Sequence, residues 1–359
     1  MRIGILTSGG DCPGLNAVLR GFCKCAFNIF DDVEILGFTD GYAGLMNKNY
    51  RTLTPADVEN ILDMGGTILG TSRQPYKMMT VKEGDAPTKL QTMVENYKKL
   101  KLDCLVTLGG AGTHKTASLL SVEGCNVIGL PKTIDNDIYG TDVTFGFRTA
   151  VEVVTDSLDR IKTTVASHRR TMLVEIMGNK AGWLTLDSGI AAGVDMILIP
   201  EMPIDVDAVC EYVAEGRSGK PYNIIAVAEG ALLASEAPYK KSERVFARSY
   251  MGETTITRHL AETIGERTGT ETRYTVLGYL QRGGTPCAYD RLLCTRLGGF
   301  AGKLAKDGRF GVTAAVVGGR ITFNALGEIA GKYKLVDPEG PEVRCARDLG
   351  IGFGVARRK

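Results

Sequence analysis

Residues 1–22 read MRIGILTSGGDCPGLNAVLRGF, and this stretch decides the fold. The run from Arg2 to Thr7 is apolar and predicts a strand, which passes through the glycine-rich segment 8–14 into a helical pattern that starts near Leu15. Strand, glycine loop and helix in this order are typical of a parallel α/β sheet. The glycines and the helix N-terminus also offer N–H groups to a phosphate, although a glycine turn that only joins strand to helix is the alternative.

The rest of the chain repeats this alternation of short apolar runs and helical patterns. Eight further runs are predicted as strands: 33–38, 102–108, 126–130, 171–176, 196–199, 223–228, 273–279 and 312–317. The segment Thr54-Pro55-Ala56-Asp57 predicts one more helix start, with an N-cap, a proline and an acidic first turn. The pattern therefore predicts an α/β fold with mostly parallel sheets and helices on both faces, and a length of 359 residues favours two lobes.

The charge and cysteine content exclude several classes of protein. There are 43 basic and 41 acidic residues, a formal net charge of +2, which gives no reason to expect a nucleic-acid or membrane partner. No apolar run approaches the roughly 20 residues that span a bilayer, and the N-terminal segment lacks the pattern of a secretion signal. The nine scattered cysteines fit reduced thiols, so a cytoplasmic location is expected.

A second glycine loop follows the strand predicted at 102–108. It reads Gly109-Gly110-Ala111-Gly112-Thr113-His114-Lys115. Two such loops at strand ends are able to bind a polyphosphate from two sides. This arrangement is found in phosphoryl transfer, where catalysis consists mostly of positioning the reactants and neutralising their charge.

An acidic loop follows the strand predicted at 126–130 and reads Pro131-Lys132-Thr133-Ile134-Asp135-Asn136-Asp137. If this segment is extended, alternation places Thr133, Asp135 and Asp137 on one side. One carboxylate would then accept a proton from an alcohol and the other would hold Mg²⁺. An Asx-rich turn that caps a helix is the alternative.

Arginines recur in loop contexts, where guanidinium groups suit phosphate oxygens. Solvated surface residues are the alternative for each of them. The positions are Arg73, Arg170, Arg273 and Arg282.

Taken together, five motifs closely resemble those of the phosphofructokinase family. The likeness runs in order from Arg2 to about Gly319. The motifs are Gly9-Gly10-Asp11-x-Pro13-Gly14-x-Asn16, Gly109-Gly110-x-Gly112-Thr113, Pro131 to Asp137, Glu175-Ile176-Met177-Gly178 and Gly278-Tyr279-Leu280-Gln281-Arg282-Gly283-Gly284.

The resemblance implies transfer of a phosphoryl group, with Mg²⁺, from ATP or diphosphate to the 1-hydroxyl of fructose 6-phosphate. It implies two Rossmann-like three-layer lobes: a donor-binding lobe of residues 1–146 plus about 281–330, and a sugar-phosphate lobe of about 147–280 plus 331–359. The family also implies a homotetramer or homodimer in which sugar phosphate is gripped between subunits.

The resemblance assigns roles residue by residue. Asp135 is expected to be the general base, with Thr133 and Lys132 beside it in the catalytic group, and Asp137 is expected to face the metal. The expected sugar-phosphate contacts are Arg170, Met177, Gly178, Glu229, Arg273, Tyr279 and Arg282, with Arg170 and Arg273 reaching across from a neighbouring subunit. The expected donor contacts are Gly10, Tyr42, Arg73, Gly110, Gly112 and Thr113.

The chain departs from the family pattern in three respects. Ala111 stands where an acidic or amide residue is usual and where Asp contacts Mg²⁺, so weakened activity is expected. Gly112 leaves room for the α-phosphate of ATP, whereas Lys132 resembles diphosphate-dependent members, and the balance slightly favours ATP. Tyr279 replaces the common His, so the contact with the sugar phosphate is still possible through a hydroxyl but without charge.

Two rival functions are weighed against this one. A lipid or NAD kinase shares the Gly-Gly-Asp-Gly-Thr type of loop but leaves the segments 132–137 and 281–284 unexplained. A regulatory paralogue that binds sugar phosphate without turnover is favoured only by Ala111, and Asp135 argues against it.

Overall fold

The structure, a computed structural model, describes residues 1–82, 84–216, 218–250 and 255–355. Residues 356–359, at the end of the predicted sugar-phosphate lobe, lie outside this description. The strands are β1 (Arg2–Ser8), β2 (Glu34–Phe38), β3 (Tyr50–Leu53), β4 (Cys104–Gly109), β5 (Val127–Pro131), β6 (Thr171–Ile176), β7 (Met196–Leu198), β8 (Asn223–Ala228), β9 (Thr272–Val276), β10 (Val312–Val317) and β11 (Arg320–Ala325).

The α-helices lie between these strands and after the last of them. They are α1 (Leu15–Ile29), α2 (Tyr42–Asn47), α3 (Pro55–Glu59), α4 (Lys89–Lys99), α5 (Ala111–Val122), α6 (Phe147–His168), α7 (Trp183–Ala192), α8 (Val206–Ala214), α9 (Lys241–Tyr250), α10 (Ile256–Thr268), α11 (Ala288–Lys306), α12 (Leu326–Ile329) and α13 (Pro341–Asp348).

The chain divides into two compact units and passes between them three times. Unit 1 consists of Met1–Thr149 and Arg282–Lys334, and unit 2 of Ala150–Gln281 and Leu335–Lys359. The assignment of donor binding to one lobe and sugar-phosphate binding to the other stays a prediction.

Unit 1 is built on a seven-stranded sheet in the order β11-β10-β5-β4-β1-β2-β3. The five inner strands are parallel, and only the two edge strands, β3 and β11, run antiparallel to their neighbours. One face is covered by α2, α4 and α5, whose buried side chains pack with those of β1, β2 and β4 in one hydrophobic cluster. This confirms the predicted α/β class with mostly parallel sheets.

Unit 2 has a four-stranded parallel sheet in the order β7-β8-β6-β9. Leu173, Leu198 and Val227 of its strands form a buried cluster with Val209 of α8 and Leu260 of α10. Parallel strands buried in this way read as continuous apolar runs, which is why the sequence revealed them.

All nine predicted strands are present, but one prediction ran too long. The strand predicted at 273–279 ends at Val276, and the residues that follow form a 3₁₀ turn, Gly278–Arg282, because Gly278 takes a positive φ of 54°. The edge strands β3 and β11 were not predicted, since their residues are largely exposed and lack a clear apolar pattern. The helix predicted from Thr54 is confirmed as the short α3, with the carboxylate of Asp57 accepting hydrogen bonds from the backbone N–H and hydroxyl of Thr54.

Two further expectations concern the whole chain. All nine cysteines are free thiols. Among the described residues, no helix has both the length and the apolar character needed to cross a membrane.

Candidate active site

Three loops of unit 1 that were singled out from sequence follow three neighbouring parallel strands. The first glycine loop follows β1, the second follows β4, and the acidic loop follows β5, and these strands are adjacent in the order β5-β4-β1. The connection from β1 leads to β2 on one side, whereas β4 lies on the other side, so the crevice between β1 and β4 is a topological switch point. Ligands of open α/β sheets bind at such a point.

The first glycine loop is held by the segment that carries Arg73. The backbone N–H of Gly9 donates to the carbonyl of Ser72 at 3.0 Å, and the hydroxyl of Thr71 donates to the carbonyl of Gly9 at 2.8 Å. Gly9 has a φ of 91°, which a residue with a Cβ rarely adopts. These bonds fix Arg73, an exposed side chain, beside the loop.

The second glycine loop is supported from the core. Tyr42, predicted as a donor contact, is only 1% exposed, and its hydroxyl donates to the carbonyl of Thr113 at 3.0 Å. Its buried ring therefore stabilises the loop from the side of the protein core. Any influence of this side chain on a bound phosphoryl donor is indirect. Thr113 is buried as well and donates to the carbonyl of Ser8 at 3.4 Å, which joins the two glycine loops.

His114 has a structural place behind the same loop. Its Nδ1 lies 3.0 Å from the carbonyl oxygen of Gly110, and its Nε2 lies 2.9 Å from Oγ1 of Thr313. Burial lowers the pKa of its imidazole to about 4, so the ring is neutral at pH 7.

The acidic loop is a turn and not the extended segment that alternation assumed. Asn136 has a φ of 51°, and its side chain accepts a hydrogen bond from the N–H of Thr144 at 3.0 Å. The hydroxyl of Thr133 accepts a hydrogen bond from the N–H of Asp135 at 3.0 Å. The turn nevertheless keeps Asp137 close enough for its charge to act on Asp135, and the expected grouping of Thr133, Asp135 and Asp137 on one side stays a prediction.

Asp135 carries the most informative pKa of this loop. Burial raises the pKa of its carboxyl from 3.8 to about 6, and the neighbouring carboxylate of Asp137 adds to the rise. The positive charges of Arg282, Lys132 and Arg73 oppose it. A carboxylate whose pKa lies nearer to the operating pH is a better general base, and such values are typical of catalytic sites.

Lys132 links the acidic loop to the first glycine loop. Its side chain is 4% exposed, and its ammonium group donates to the carbonyl of Gly10. Burial lowers the pKa of the ammonium, and the nearby charge of Asp135 partly offsets this. The lysine thus sits where it neutralises negative charge beside the first glycine loop.

Arg282 was expected among the sugar-phosphate contacts, and the structure places it in unit 1 against the first glycine loop. A Cβ on Gly10 would lie 1.8 Å from Nη1 of Arg282, so only a glycine allows this approach. Nη1 also lies 3.4 Å from the carbonyl oxygen of Asp11 and acts on the charge of Asp135. Its predicted role stays a prediction, but its place is close enough to Asp135 for its charge to act on that carboxyl.

The residues available to a divalent cation are few. Within the described ranges, no group of three or more His, Cys, Asp or Glu side chains is able to hold a metal by itself. Ala111 is the first residue of α5, and its methyl group has no metal-binding capacity. Mg²⁺ usually takes one or two carboxylates together with phosphate oxygens and waters, and the buried Asp137 next to Asp135 fits that mode.

Unit 2 contains a cavity of about 200 Å³ at the carboxyl ends of its strands. Three predicted sugar-phosphate residues line it: Met177, Glu229 and Tyr279. Gly178, also predicted, lies next to Met177 with a φ of 137°, and its carbonyl accepts a hydrogen bond from the N–H of Gly230 at 3.2 Å. The structure therefore brings these four residues together.

Arg170 and Arg273 lie at the opposite end of the same sheet. Nη2 of each arginine is 3.2 Å from Oε1 of Glu271, so the two guanidinium groups share one carboxylate oxygen. Arg170 directly precedes β6 and Arg273 is near the start of β9, whereas the cavity is lined from the carboxyl ends of both strands, beginning at Glu175 and Val276. At about 3.3 Å per residue, the five residue steps from Arg170 to Glu175 span roughly 17 Å, and the three from Arg273 to Val276 span roughly 10 Å.

Two polar side chains of the cavity, those of Gln281 and Glu175, received no role from the sequence. The side chain of Gln281 is fully buried; its Oε1 accepts a hydrogen bond from the N–H of Met177 at 3.0 Å, and its Nε2 donates to the carbonyl of Gly278 at 3.1 Å. This amide ties the two walls of the cavity together. Glu175 lines the same cavity, and its sequence signals were its place in the Glu175–Gly178 motif and its charge inside the apolar run of β6.

Comparison with known proteins agrees with this geometry. The phosphofructokinase family profile matches residues 2–305. An ATP-dependent 6-phosphofructokinase of Spirochaeta thermophila is 51% identical over 355 residues, which cover 98% of this chain and 97% of that protein. A pyrophosphate--fructose 6-phosphate 1-phosphotransferase of Amycolatopsis methanolica is 44% identical over 341 residues, which cover 94% of this chain and 97% of that protein.

A solved structure shares the fold. The crystal structure of Pichia pastoris phosphofructokinase in the T-state superposes with a TM-score of 0.78 at 30% identity, covering 92% of this chain and 35% of that chain. This protein spans about a third of the length of the yeast chain. From the family match, the relatives and the shared fold together, the chain belongs to the phosphofructokinase family.

Proposed function

We propose that this protein is a 6-phosphofructokinase that transfers the γ-phosphoryl group of ATP to the 1-hydroxyl of fructose 6-phosphate. The observation that carries the proposal is Asp135, a carboxylate with a pKa raised to about 6, in the loop beside two glycine loops at the switch point of unit 1. The names of close relatives support both the reaction and ATP as the donor.

The reaction needs one proton transfer and one phosphoryl transfer. Asp135 accepts the proton of the 1-hydroxyl as that oxygen bonds to the γ-phosphorus, and the bond from phosphorus to the bridging oxygen breaks to release ADP. The backbone N–H groups of the two glycine loops, with Lys132 and Arg73, stabilise the charge on the phosphate oxygens. Thr133 holds the turn that aims the base, because its hydroxyl accepts the N–H of Asp135.

Mg²⁺ is proposed as the cofactor, held by Asp137 together with phosphate oxygens of the donor and water. When bound, the cation neutralises charge on the phosphates. Asp135 then remains the proton acceptor. Because Ala111 removes a second protein contact, we expect a lower affinity for Mg²⁺ and weakened activity compared with a chain that has Asp there.

The choice of donor depends on two neighbouring features. Apart from its chain neighbours and the backbone of its own helix, no described atom lies within 4 Å of the position that a Cβ on Gly112 would take, which leaves room for the larger ATP. The buried ammonium group of Lys132 at the first glycine loop instead favours diphosphate, because it neutralises negative charge on this shorter donor. ATP is proposed as the main donor, and diphosphate as a weaker one.

The substitution Lys132→Gly tests this division of roles. We expect diphosphate-dependent activity to fall at least tenfold more than ATP-dependent activity, because diphosphate has fewer other groups that contact the protein. The variant Lys132→Met keeps the side-chain volume and controls for the space that glycine opens. Unchanged use of diphosphate by both variants would contradict a donor-selecting role for the lysine.

A homo-oligomer, a tetramer or a dimer, is proposed on the placement of two arginines. Arg170 and Arg273 lie at the end of the unit 2 sheet away from the cavity that Met177 and Glu229 line, roughly 17 Å along β6 and roughly 10 Å along β9 from the first lining residues. A sugar phosphate held in the cavity does not reach Arg170 within this sheet, and Arg273 is held to Arg170 through Glu271. We propose that these arginines bind the phosphate group in the site of a neighbouring subunit.

The oligomer proposal is tested by mixing two inactive variants. Arg273→Ala and Asp135→Asn chains are each expected to be nearly inactive alone. Mixed oligomers would regain activity at sites where the intact Asp135 of one subunit meets the intact Arg273 of another. A failure of mixed oligomers to regain any activity would contradict the shared site.

The activity is tested with purified protein, fructose 6-phosphate and Mg²⁺, supplied with ATP or with diphosphate. Formation of fructose 1,6-bisphosphate with ATP is the expected result. The alternative of a paralogue without turnover, which Ala111 suggested, finds no support in the names of the relatives, and absence of turnover with either donor would revive it. Location in the cytoplasm is proposed with this metabolic role.

A further inference from the structure

The cavity of unit 2 has an exposed mouth and a buried polar floor. Glu229 and Tyr279 are at the mouth, where the side chain of Tyr279 is 81% exposed. Glu175 and Gln281 lie at the floor and are buried. The side-chain amide of Gln281 is hydrogen-bonded to the backbone of Met177 and Gly278. Glu175 is then the floor residue to which no role has been assigned.

One oxygen of Glu175 is shielded from solvent and has no donor. The side chain is 7% exposed, and Oε2 accepts no hydrogen bond from any residue that the structure describes. A buried carboxylate oxygen without a donor destabilises the folded state. Such groups are rare in native proteins, and each one calls for a reason.

The fold gives no reason for a carboxylate at this position. Glu175 lies in β6, an inner strand of the parallel sheet with β8 and β9 on its two sides. The residues on either side of it, Val174 and Ile176, are apolar and fully buried, as is usual for such a strand. An apolar residue would satisfy the packing, and so the carboxylate points to a ligand.

The chemistry of the cavity indicates which part of a ligand enters it. A carboxylate only accepts hydrogen bonds, so its partner must be a donor such as a hydroxyl group. Glu175 and Glu229 together repel a phosphate group. The cavity therefore takes the hydroxyl-bearing carbons of a sugar phosphate and leaves the phosphate outside.

We propose that Glu175 is a specificity-determining residue whose Oε2 accepts a hydrogen bond from a hydroxyl of the sugar phosphate. The inference rests on the proposed function and adds to it a contact at the floor of the sugar site. A buried acceptor of this kind discriminates strongly against a ligand that lacks the matching hydroxyl, since the oxygen is then left unpaired.

The test is calorimetric binding of fructose 6-phosphate, without a phosphoryl donor, to wild-type protein and two variants. Glu175→Met removes the acceptor at similar volume and is expected to weaken binding at least tenfold. Glu175→Gln keeps a weaker, neutral acceptor and is expected to fall in between. In the activity assay, the KM for fructose 6-phosphate rises by the same factor, while kcat and the KM for ATP change less than threefold.

A stability measurement separates this role from a structural one. Because Oε2 has no donor, removal of the charge is expected to leave the melting temperature of Glu175→Gln unchanged or higher. The control Glu262→Gln removes a charge on α10, where the side chain is exposed and pairs with Arg258, and should leave the Kd for fructose 6-phosphate unchanged.

A panel of fructose 6-phosphate analogues, each lacking one hydroxyl, completes the test. One analogue should bind wild type as weakly as fructose 6-phosphate binds Glu175→Met. The Kd of that analogue should be the same for Glu175→Met as for wild type. Equal losses for every analogue, or a Kd within twofold of wild type for Glu175→Met, would overturn the inference. If wild type itself fails to bind fructose 6-phosphate, the proposed function is overturned instead.

Discussion

Replacement of Asp135 by asparagine should make the protein more stable and almost inactive. Its carboxyl has a pKa of about 6 in the folded chain against an ordinary 3.8, mainly because of burial. Between pH 3.8 and 6 the folded state therefore binds more protons than the unfolded state, and stability falls as the pH rises through this window. Above pH 6 the full cost of the buried charge is present.

The size of the effect follows from the pKa difference. A change of about two in pKa corresponds to ~3 kcal/mol of stability at pH 7, an upper estimate since solvent reaches part of the carboxyl group. For a chain of 359 residues, this equals an increase of about 4 °C in the melting temperature. Loss of a general base lowers kcat by about 10²- to 10⁴-fold.

Thermal unfolding at pH 5 and pH 8, combined with activity at pH 7.5, measures both consequences. Asp135→Asn should melt several degrees above wild type at pH 8, and the difference should shrink at pH 5. Wild-type kcat/KM for fructose 6-phosphate should fall as the pH drops below about 6, where Asp135 becomes protonated. The control Asp63→Asn, at an exposed position of unit 1, should change neither property.

Two results would refute this reasoning. A melting-temperature difference that does not depend on pH would mean that the asparagine acts through packing and not through a buried charge. An activity of Asp135→Asn within tenfold of wild type would exclude this residue as the general base.

Three further changes test the neighbouring features. Ala111→Asp should raise ATP-dependent kcat/KM and lower the Mg²⁺ concentration needed for half activity, whereas Ala111→Asn, without the charge, should gain less; no gain with Asp contradicts the metal-contact argument. Gly112→Asp should keep the melting temperature, because the space at its Cβ is open, yet raise the KM for ATP and not that for diphosphate. Gln281→Leu should lower stability by about 1–3 kcal/mol in denaturant unfolding and weaken fructose 6-phosphate binding, since the N–H of Met177 loses its acceptor; unchanged binding would show that the cavity walls are held by other contacts.

Much of the site was visible in the sequence because it depends on local order. In a parallel sheet, the loop after each strand lies at the carboxyl end of the sheet, whatever the position of that strand in the strand order. The sequence therefore identified the loops after β1, β4 and β5 correctly. The mistaken step was the extended reading of 133–137, which failed because Asn136 adopts a positive φ and turns the chain. The charge of Asp137 still acts on Asp135, across the turn instead of along an extended segment.

Other features were decided only by tertiary structure. Strand order, and with it the switch point between β1 and β4, results from packing between residues far apart in the chain. The separation of Arg170 and Arg273 from the cavity became visible only once β6 and β9 were found side by side. For Glu175, the sequence shows a charged residue within an apolar run, but only the surroundings of the folded strand reveal a buried oxygen without a donor, because burial and hydrogen bonding depend on neighbours that the chain order does not give.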